Sequence, residues 1–277
     1  MRIQPRPSLA WAIGIGYAIL FLVLEKVMGV GYDVIGTTSD SIVKGIVVPV
    51  GIGALVLIIV ATFLGWWRPA LLELSTDPVR PPRWLLAVPV LVFIATLLGI
   101  DYGNLGDMGA AMILWLAIGT ALVGFSEELT YRGLALVGFR GGYGEVKVWL
   151  FTSILFGLLH GVNVVLGQGA VLTVRQVIFA FVIGSVFYAI RRISGTIVVA
   201  MVVHALWDFG TFTHVAGKTA GAAAAQTDIP TGAAAAGLQS LLMLVAIILV
   251  IVGAKKILKP KVTAPATART TAAPQNA

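Results

Sequence analysis

The segment Ile42–Trp66, IVKGIVVPVGIGALVLIIVATFLGW, decides what kind of molecule this chain makes. Its only charge is Lys44 near one end, and the rest is apolar or small. About 20 such residues in a helix cross the roughly 30 Å hydrocarbon core of a bilayer. A lone apolar segment in lipid must satisfy its own backbone hydrogen bonds, which a helix does. Long unbroken runs also exclude the alternating pattern of a membrane barrel. Seven further apolar runs lie on either side: Leu9–Leu24, Trp84–Ile100, Met108–Phe125, Val148–Leu166, Val177–Ile190, Thr196–Phe212 and Leu238–Leu258. The first and sixth are short for a span. The sequence therefore predicts an all-α, polytopic membrane bundle of about eight transmembrane helices.

Composition agrees. Of 277 residues, 58% are hydrophobic and only 11% charged, whereas a soluble domain carries about a quarter charged residues. Too few ionisable groups remain to clothe a soluble surface. The net charge of +7 is not the basic patch with readable motifs that a nucleic-acid binder needs. Its cations fall in short loops and at the C-terminus, where topology signals belong. Placing the N-terminus inside puts 15 of the 19 Lys and Arg residues on one side, leaving Lys26, Lys44, Arg175 and Lys218 on the other. Both termini are thus expected in the cytoplasm, with the protein in the cell membrane. Trp66, Trp67, Trp84 and Trp149 fall at span ends, as an interfacial aromatic belt would have them.

With no cysteine, there is no disulfide framework, thiol nucleophile or thiolate metal site. The apolar run near the N-terminus lacks a small-residue cleavage site and reads as a first helix rather than a signal peptide. The chain divides into three N-terminal helices with their loops (1–107), a core of the fourth to seventh helices (108–212), a mobile outer loop (213–237), a last helix (238–262) and a disordered tail (263–277). The loop is rich in small residues, and the Ala/Thr/Pro tail has nothing with which to build a core.

Charged groups inside a bilayer are costly and mark pathways or reaction centres. Glu127, Glu128 and Arg132 sit where the fourth span ends (GFSEELTYRGLAL). His160 lies in the fifth span (ILFGLLHGVN), and His204 and Asp208 lie in the seventh (VAMVVHALWDFG). The remaining histidine, His214, follows the seventh span and reads as a solvated bystander. Glu128 and Arg132 are four apart and share a helix face, while Glu127 is rotated by about 100° from Glu128. His204 and Asp208 project together. At about 1.5 Å per residue, His160 lies some 18 Å and His204 some 13 Å from the cytoplasmic ends of their spans, so the two can meet in one cavity.

No Ser–His pair or cysteine stands out as a nucleophile. A carboxylate beside an imidazole can hold and deprotonate a water, and a second imidazole can donate to a developing oxyanion. That is chemistry for hydrolysing an amide by direct water attack. The order Glu-Glu-x-x-x-Arg (Glu127, Glu128, Arg132), Phe-x-x-x-His (Phe156, His160) and His-x-x-x-Asn/Asp (His204, Asp208) resembles the CPBP family of CAAX prenyl endopeptidases, bacteriocin-processing enzymes and immunity proteins. The resemblance covers roughly Met108 to Phe212 and implies an intramembrane glutamic endopeptidase. By position it makes Glu127 activate the water with His160, and His204 stabilise the oxyanion, with Glu128 and Arg132 in support. The eukaryotic CAAX enzymes have Asn where this chain has Asp208, and an ionised Asp cannot donate a hydrogen bond. The C-a-a-X specificity does not transfer. The implied substrate is a membrane-associated protein or peptide, prenylated or not.

Other readings stay open at this point. Glu128 and Arg132 fit an interfacial salt bridge, and intramembrane histidines often serve as helix–helix hydrogen-bonding groups. Asp208 fits a role in orienting His204. Two His with one or two Glu would suit an open zinc site, but HExxH is absent and the ligands would come from three helices. The expectation is no cofactor, with zinc the lesser alternative. A non-catalytic immunity or scaffold protein keeps the same motifs. A proton-coupled transporter also uses buried Glu, His and Asp, but transporters often show inverted repeats, whereas these residues cluster in one half of the chain, which favours the enzyme.

Overall fold

The computed structural model describes residues 3–73, 82–217 and 233–259. Most of the expected outer loop (218–232) and the expected tail from Thr263 lie outside the described residues.

Helix α1 spans Pro7–Met28. Pro7 starts it at a position where its missing N–H costs nothing. Gly29 ends it at φ 68°, with its N–H on the Glu25 carbonyl, a left-handed cap that favours glycine. Helix α2, Ser39–Leu64, opens with a capping box between Thr38 and Ser41. It widens into a π-helical turn over Val43–Val47. Pro49 has no N–H to offer the Gly45 carbonyl one turn earlier, and the widened turn coincides with that missing bond.

Short α3 (Trp67–Leu71) precedes α4 (Arg83–Leu98), and short α5 (Tyr102–Asp107) is capped by the Asp101 side chain. Three long elements, α6 (Ala110–Arg140), α7 (Glu145–Val164) and α8 (Ala170–Ser194), follow, and then the shorter α9 (Val198–Thr213). Helix α10 (Ala233–Ile257) is the last described element. Among the described residues, α1, α2, α6, α7, α8 and α10 are long and apolar enough to cross a membrane, and α4 and α9 are shorter apolar helices. The chain is an all-α, multi-pass integral membrane protein.

Two expectations about length are corrected. The first and sixth spans are full-length helices of 22 and 25 residues. The apolar run undercounts them because Pro7 and Lys26, and in α8 Thr173 and Arg175, sit inside the helices. The fourth span does not end at Phe125. Helix α6 continues to Arg140, with a π-helical turn at Leu129–Ala135.

The polarity is that of a protein in lipid. Ile19, Leu55, Ile59, Phe63, Val171 and Ile251 are exposed, whereas Glu128, Arg132 and Arg191 are fully buried. Trp66 is also fully buried, with its indole N–H on the Ile3 carbonyl at 2.7 Å, so it is not part of an interfacial belt.

At one end of the bundle the expected loop cations form an ion-pair cluster. Glu73 meets Arg140 at 2.7 Å, Arg191 at 3.1 Å and Arg192 at 2.5 Å. Glu145 pairs with Arg140 at 2.5 Å and accepts from the Tyr188 hydroxyl. Arg191 and Arg192 therefore act in the interior as well as in the charge asymmetry. Burial pushes the Glu73 carboxyl up, but the charges of Arg140, Arg191 and Arg192 outweigh it and hold the group well below the usual carboxylate range. Arg192 also donates to the carbonyls of Ile257 and Lys259, which ties the end of α10 to α8.

Candidate active site

Because α6 runs on to Arg140, Glu127 and Glu128 lie within the helix. Glu128 is twelve residues, about 18 Å, from the Arg140 end. Helix α9 crosses α6 at Gly124. A Cβ there would fall 2.6 Å from the Met201 carbonyl oxygen and 2.9 Å from the Ala205 nitrogen. Only a glycine permits that backbone approach, the small-residue contact by which membrane helices come close. His204 lies between those two contacts, which brings it onto the glutamates.

Arg132 Nη1 donates to Glu128 Oε1 at 2.9 Å, and His204 Nδ1 lies 3.0 Å from the same oxygen. The other ring nitrogen, Nε2, lies 3.6 Å from Asp208 Oδ2 and 3.8 Å from Glu127 Oε2. Three carboxyl groups thus surround one imidazole. The Glu128–Arg132 pair has no exposed side-chain surface, so it is buried rather than interfacial. Glu127 and Asp208 keep 14% and 22% side-chain exposure, which makes them the open side of the cluster.

His160 stands where the α-helical part of α7 tightens into a 3₁₀ turn, His160–Val164. Its Nδ1 lies 3.0 Å from the Phe156 carbonyl. A carbonyl only accepts, so Nδ1 carries the hydrogen and Nε2 of the neutral ring is left as an acceptor. Phe156 joins the parts. Its ring lies 3.9 Å beneath the Arg132 guanidinium carbon, and its centroid is 5.1 Å from that of His160 and 5.7 Å from that of His204.

The structure therefore brings Glu127, Glu128, Arg132, His204 and Asp208 into one cluster, with His160 beside it across Phe156. The imidazole within 4 Å of Glu127 is His204. Three features escaped the sequence reading. Glu128 holds His204 as well as Arg132. Phe187 of α8 stacks on His204, with centroids 4.9 Å and planes 28° apart. Tyr17 of α1 lies within electrostatic reach of Glu127. Aromatic residues in apolar spans give no distinguishing signal, and only the location of Glu127 and His204 on other helices would have picked these out.

His214 is a correction. It is 6% exposed, its Nε2 donates to the Gly99 carbonyl at 3.0 Å, and its Nδ1 faces Asp101 at 3.5 Å. The turn after α9 folds back onto the α4–α5 connection and buries it. Among the described residues no group of three or more His, Asp or Glu side chains is arranged to hold a metal ion, and no step is assigned to one.

A multi-pass helical membrane protein with a buried Glu–Arg–His–Asp cluster is the class that this fold and site define. Residues 109–210 match the family model described as Type II CAAX prenyl endopeptidase Rce1-like. The matched segment holds every residue of the cluster, and the match supports the likeness to the CPBP/CAAX protease family. No curated protein and no solved structure matches the chain.

Proposed function

We propose that the chain is an intramembrane glutamic endopeptidase that cleaves a membrane-associated protein or peptide, prenylated or not, by direct attack of water. One observation carries the reading: Nε2 of His204 lies within 4 Å of both Glu127 and Asp208 while Glu128 holds Nδ1. A packing histidine needs one partner. This ring is fixed on one side and left facing two carboxyl groups on the open side.

Glu127 and the free Nε2 of His160 hold the attacking water, and Glu127 takes its proton. The resulting hydroxide adds to the scissile carbonyl. His204, when Nε2 carries a hydrogen, donates to the oxyanion, and a protonated Asp208 does the same from one turn away. Glu128 fixes the tilt of the imidazole, and Arg132 balances the Glu128 charge. Glu127 then returns its proton to the leaving amine as the tetrahedral intermediate collapses. No metal or other cofactor enters these steps. The cation asymmetry supports both ends in the cytoplasm, with the cavity opening there and residues 108–212 forming the catalytic core. Reporter fusions after Lys218 and Arg269 test that orientation.

The direct test compares membrane-protein cleavage products in cells carrying the wild type and Glu127→Ala. A product seen only with the wild type supports the proposal and identifies the substrate. Identical product sets would overturn it in favour of a non-catalytic scaffold.

A further inference from the structure

Helix α8 supplies no acid, base or oxyanion donor to the cluster, yet one of its faces lies against Arg132, Phe156 and His204. We propose that the stripe Gly184–Phe187–Arg191 is the positioning face of the active site: it sets the Arg132 guanidinium, the His204 ring and the π-helical turn that carries Arg132. The inference rests on the endopeptidase reading for its kinetic consequence, though not for its geometric one.

The three residues are spaced i, i+3, i+7 and so share a face. Gly184 makes room. A Cβ there would fall 2.7 Å from Nη2 of Arg132 and 2.9 Å from Cδ1 of Phe156. Arg132 has little freedom to yield, because its guanidinium carbon is 3.9 Å above the Phe156 ring and Nη1 is bonded to Glu128. One turn on, Phe187 covers His204 with a nearly parallel ring and lies 5.6 Å from the Arg132 guanidinium carbon. The imidazole is thereby held in the plane that points one nitrogen at Glu128 and the other at Glu127 and Asp208.

Arg191, one turn further, holds the backbone. Its Nη1 donates to the carbonyls of Arg132 and, at 2.5 Å, Ala70. Its Nη2 donates to Pro69 at 2.8 Å and Leu72 at 3.3 Å, and Nε to Glu73 at 3.1 Å. All five guanidinium hydrogens are used. The Arg132 carbonyl lies in the π-helical turn Leu129–Ala135, where regular α-helical bonding is broken. A π turn is an irregular element that often marks a functional site. Here a buried arginine ties it to the end of α3. A lysine, with one compact ammonium, cannot replace that fork.

The test uses the full-length protein with Gly184→Ala, Phe187→Leu and Arg191→Lys, and Ile178→Ala on the exposed face of α8 as control. The three histidines, His160, His204 and His214, allow each imidazole to be followed by NMR after ring labelling. The His204 signals shift in all three stripe variants, while those of His214 stay in place and Ile178→Ala moves neither. Unshifted His204 signals in the three variants would overturn the proposal, whatever the protein's activity.

The kinetic arm uses a peptide spanning the cleavage site found with wild-type cells. In folded variants kcat falls about ten-fold or more with KM within about two-fold, on the way to the roughly 10²-fold that an ångström-sized misplacement can cost. For Gly184→Ala the loss largely disappears in an Arg132→Gln background, because it acts through the Arg132 side chain. Unchanged kcat in the three variants, or a Gly184→Ala loss that simply multiplies with that of Arg132→Gln, would contradict a positioning role. Active wild type with inert stripe variation refutes this inference alone, and inactive wild type refutes the endopeptidase reading alone.

Discussion

His204 Nδ1 lies 3.0 Å from Glu128 Oε1, the oxygen that also accepts from Arg132. That shared oxygen separates the two adjacent glutamates. Glu128 is fully buried and engaged twice through Oε1, while Glu127 keeps 14% side-chain exposure on the open side; the second oxygen of Glu128 and Oε2 of Glu127 both lack a hydrogen bond. In the proposed mechanism the bound carboxylate positions and the free one reacts. Glu128→Gln is accordingly expected to lower both thermal stability and activity, since breaking a buried pair costs about 3–5 kcal/mol. Parallel melting and cleavage assays measure the two effects.

The α6–α9 crossing at Gly124 sets the distance between the glutamates and His204. Gly124→Val puts side-chain atoms against the backbone of Met201 and Ala205, where nothing can rotate away. Overpacking of this kind costs about 1–3 kcal/mol. A lowered melting temperature and activity reduced by more than the folded fraction accounts for are expected. An unchanged melting temperature would show that the helices do not cross at this point.

The parts of the site that a sequence displays are those where polarity breaks an apolar run. Glu127, Glu128, Arg132, His160, His204 and Asp208 were legible for that reason, and helical spacing correctly paired Glu128 with Arg132. The same logic misplaced the end of α6. Polar residues after Phe125 looked like the edge of the membrane, but they face partners on other helices and the helix continues. Arg191 and Arg192 resembled loop cations because Glu73, their counter-charge, lies more than a hundred residues away. Phe187 and Gly184 were invisible, being ordinary membrane residues until a neighbouring helix gives them a task.

The ion-pair cluster carries a pH signature. The Glu73 carboxyl titrates below its unfolded value of about 4.3, so its stabilisation is complete above that pH and is lost as pH falls through and below it. At neutral pH Glu73→Gln leaves three arginines short of a counter-charge, and a lower melting temperature than wild type is expected. Below about pH 4 the difference between the two proteins narrows. A constant difference from pH 7 to pH 3 would contradict the assignment.

By the sequence resemblance, Asp208 stands where the eukaryotic CAAX enzymes have an Asn. In the proposed mechanism, with both ring nitrogens of His204 carrying hydrogen, Arg132 and His204 balance two of the three surrounding carboxylates, and the third balances only if it carries a proton. Asn mimics that neutral acid, so Asp208→Asn is expected to keep activity within about ten-fold of wild type. A loss of about 10²-fold or more in folded protein, the scale of removing an oxyanion donor, would make an ionised Asp208 the partner of His204.

Metal independence is checked by dialysing purified protein against EDTA or phenanthroline, with full activity expected afterwards. Loss of activity on removal of a stoichiometric zinc, with recovery on its return, would replace the water-activating glutamate with a metal site.

The central claim is that Glu127 is the base, and the cleavage rate of purified Glu127→Gln tests it most directly. The amide keeps the shape of the side chain and loses only the ability to take a proton. The account predicts abundant protein with the wild-type melting temperature and a cleavage rate reduced by at least about 10²-fold, the lower range for removing a general base. Wild-type cleavage by folded Glu127→Gln would contradict it.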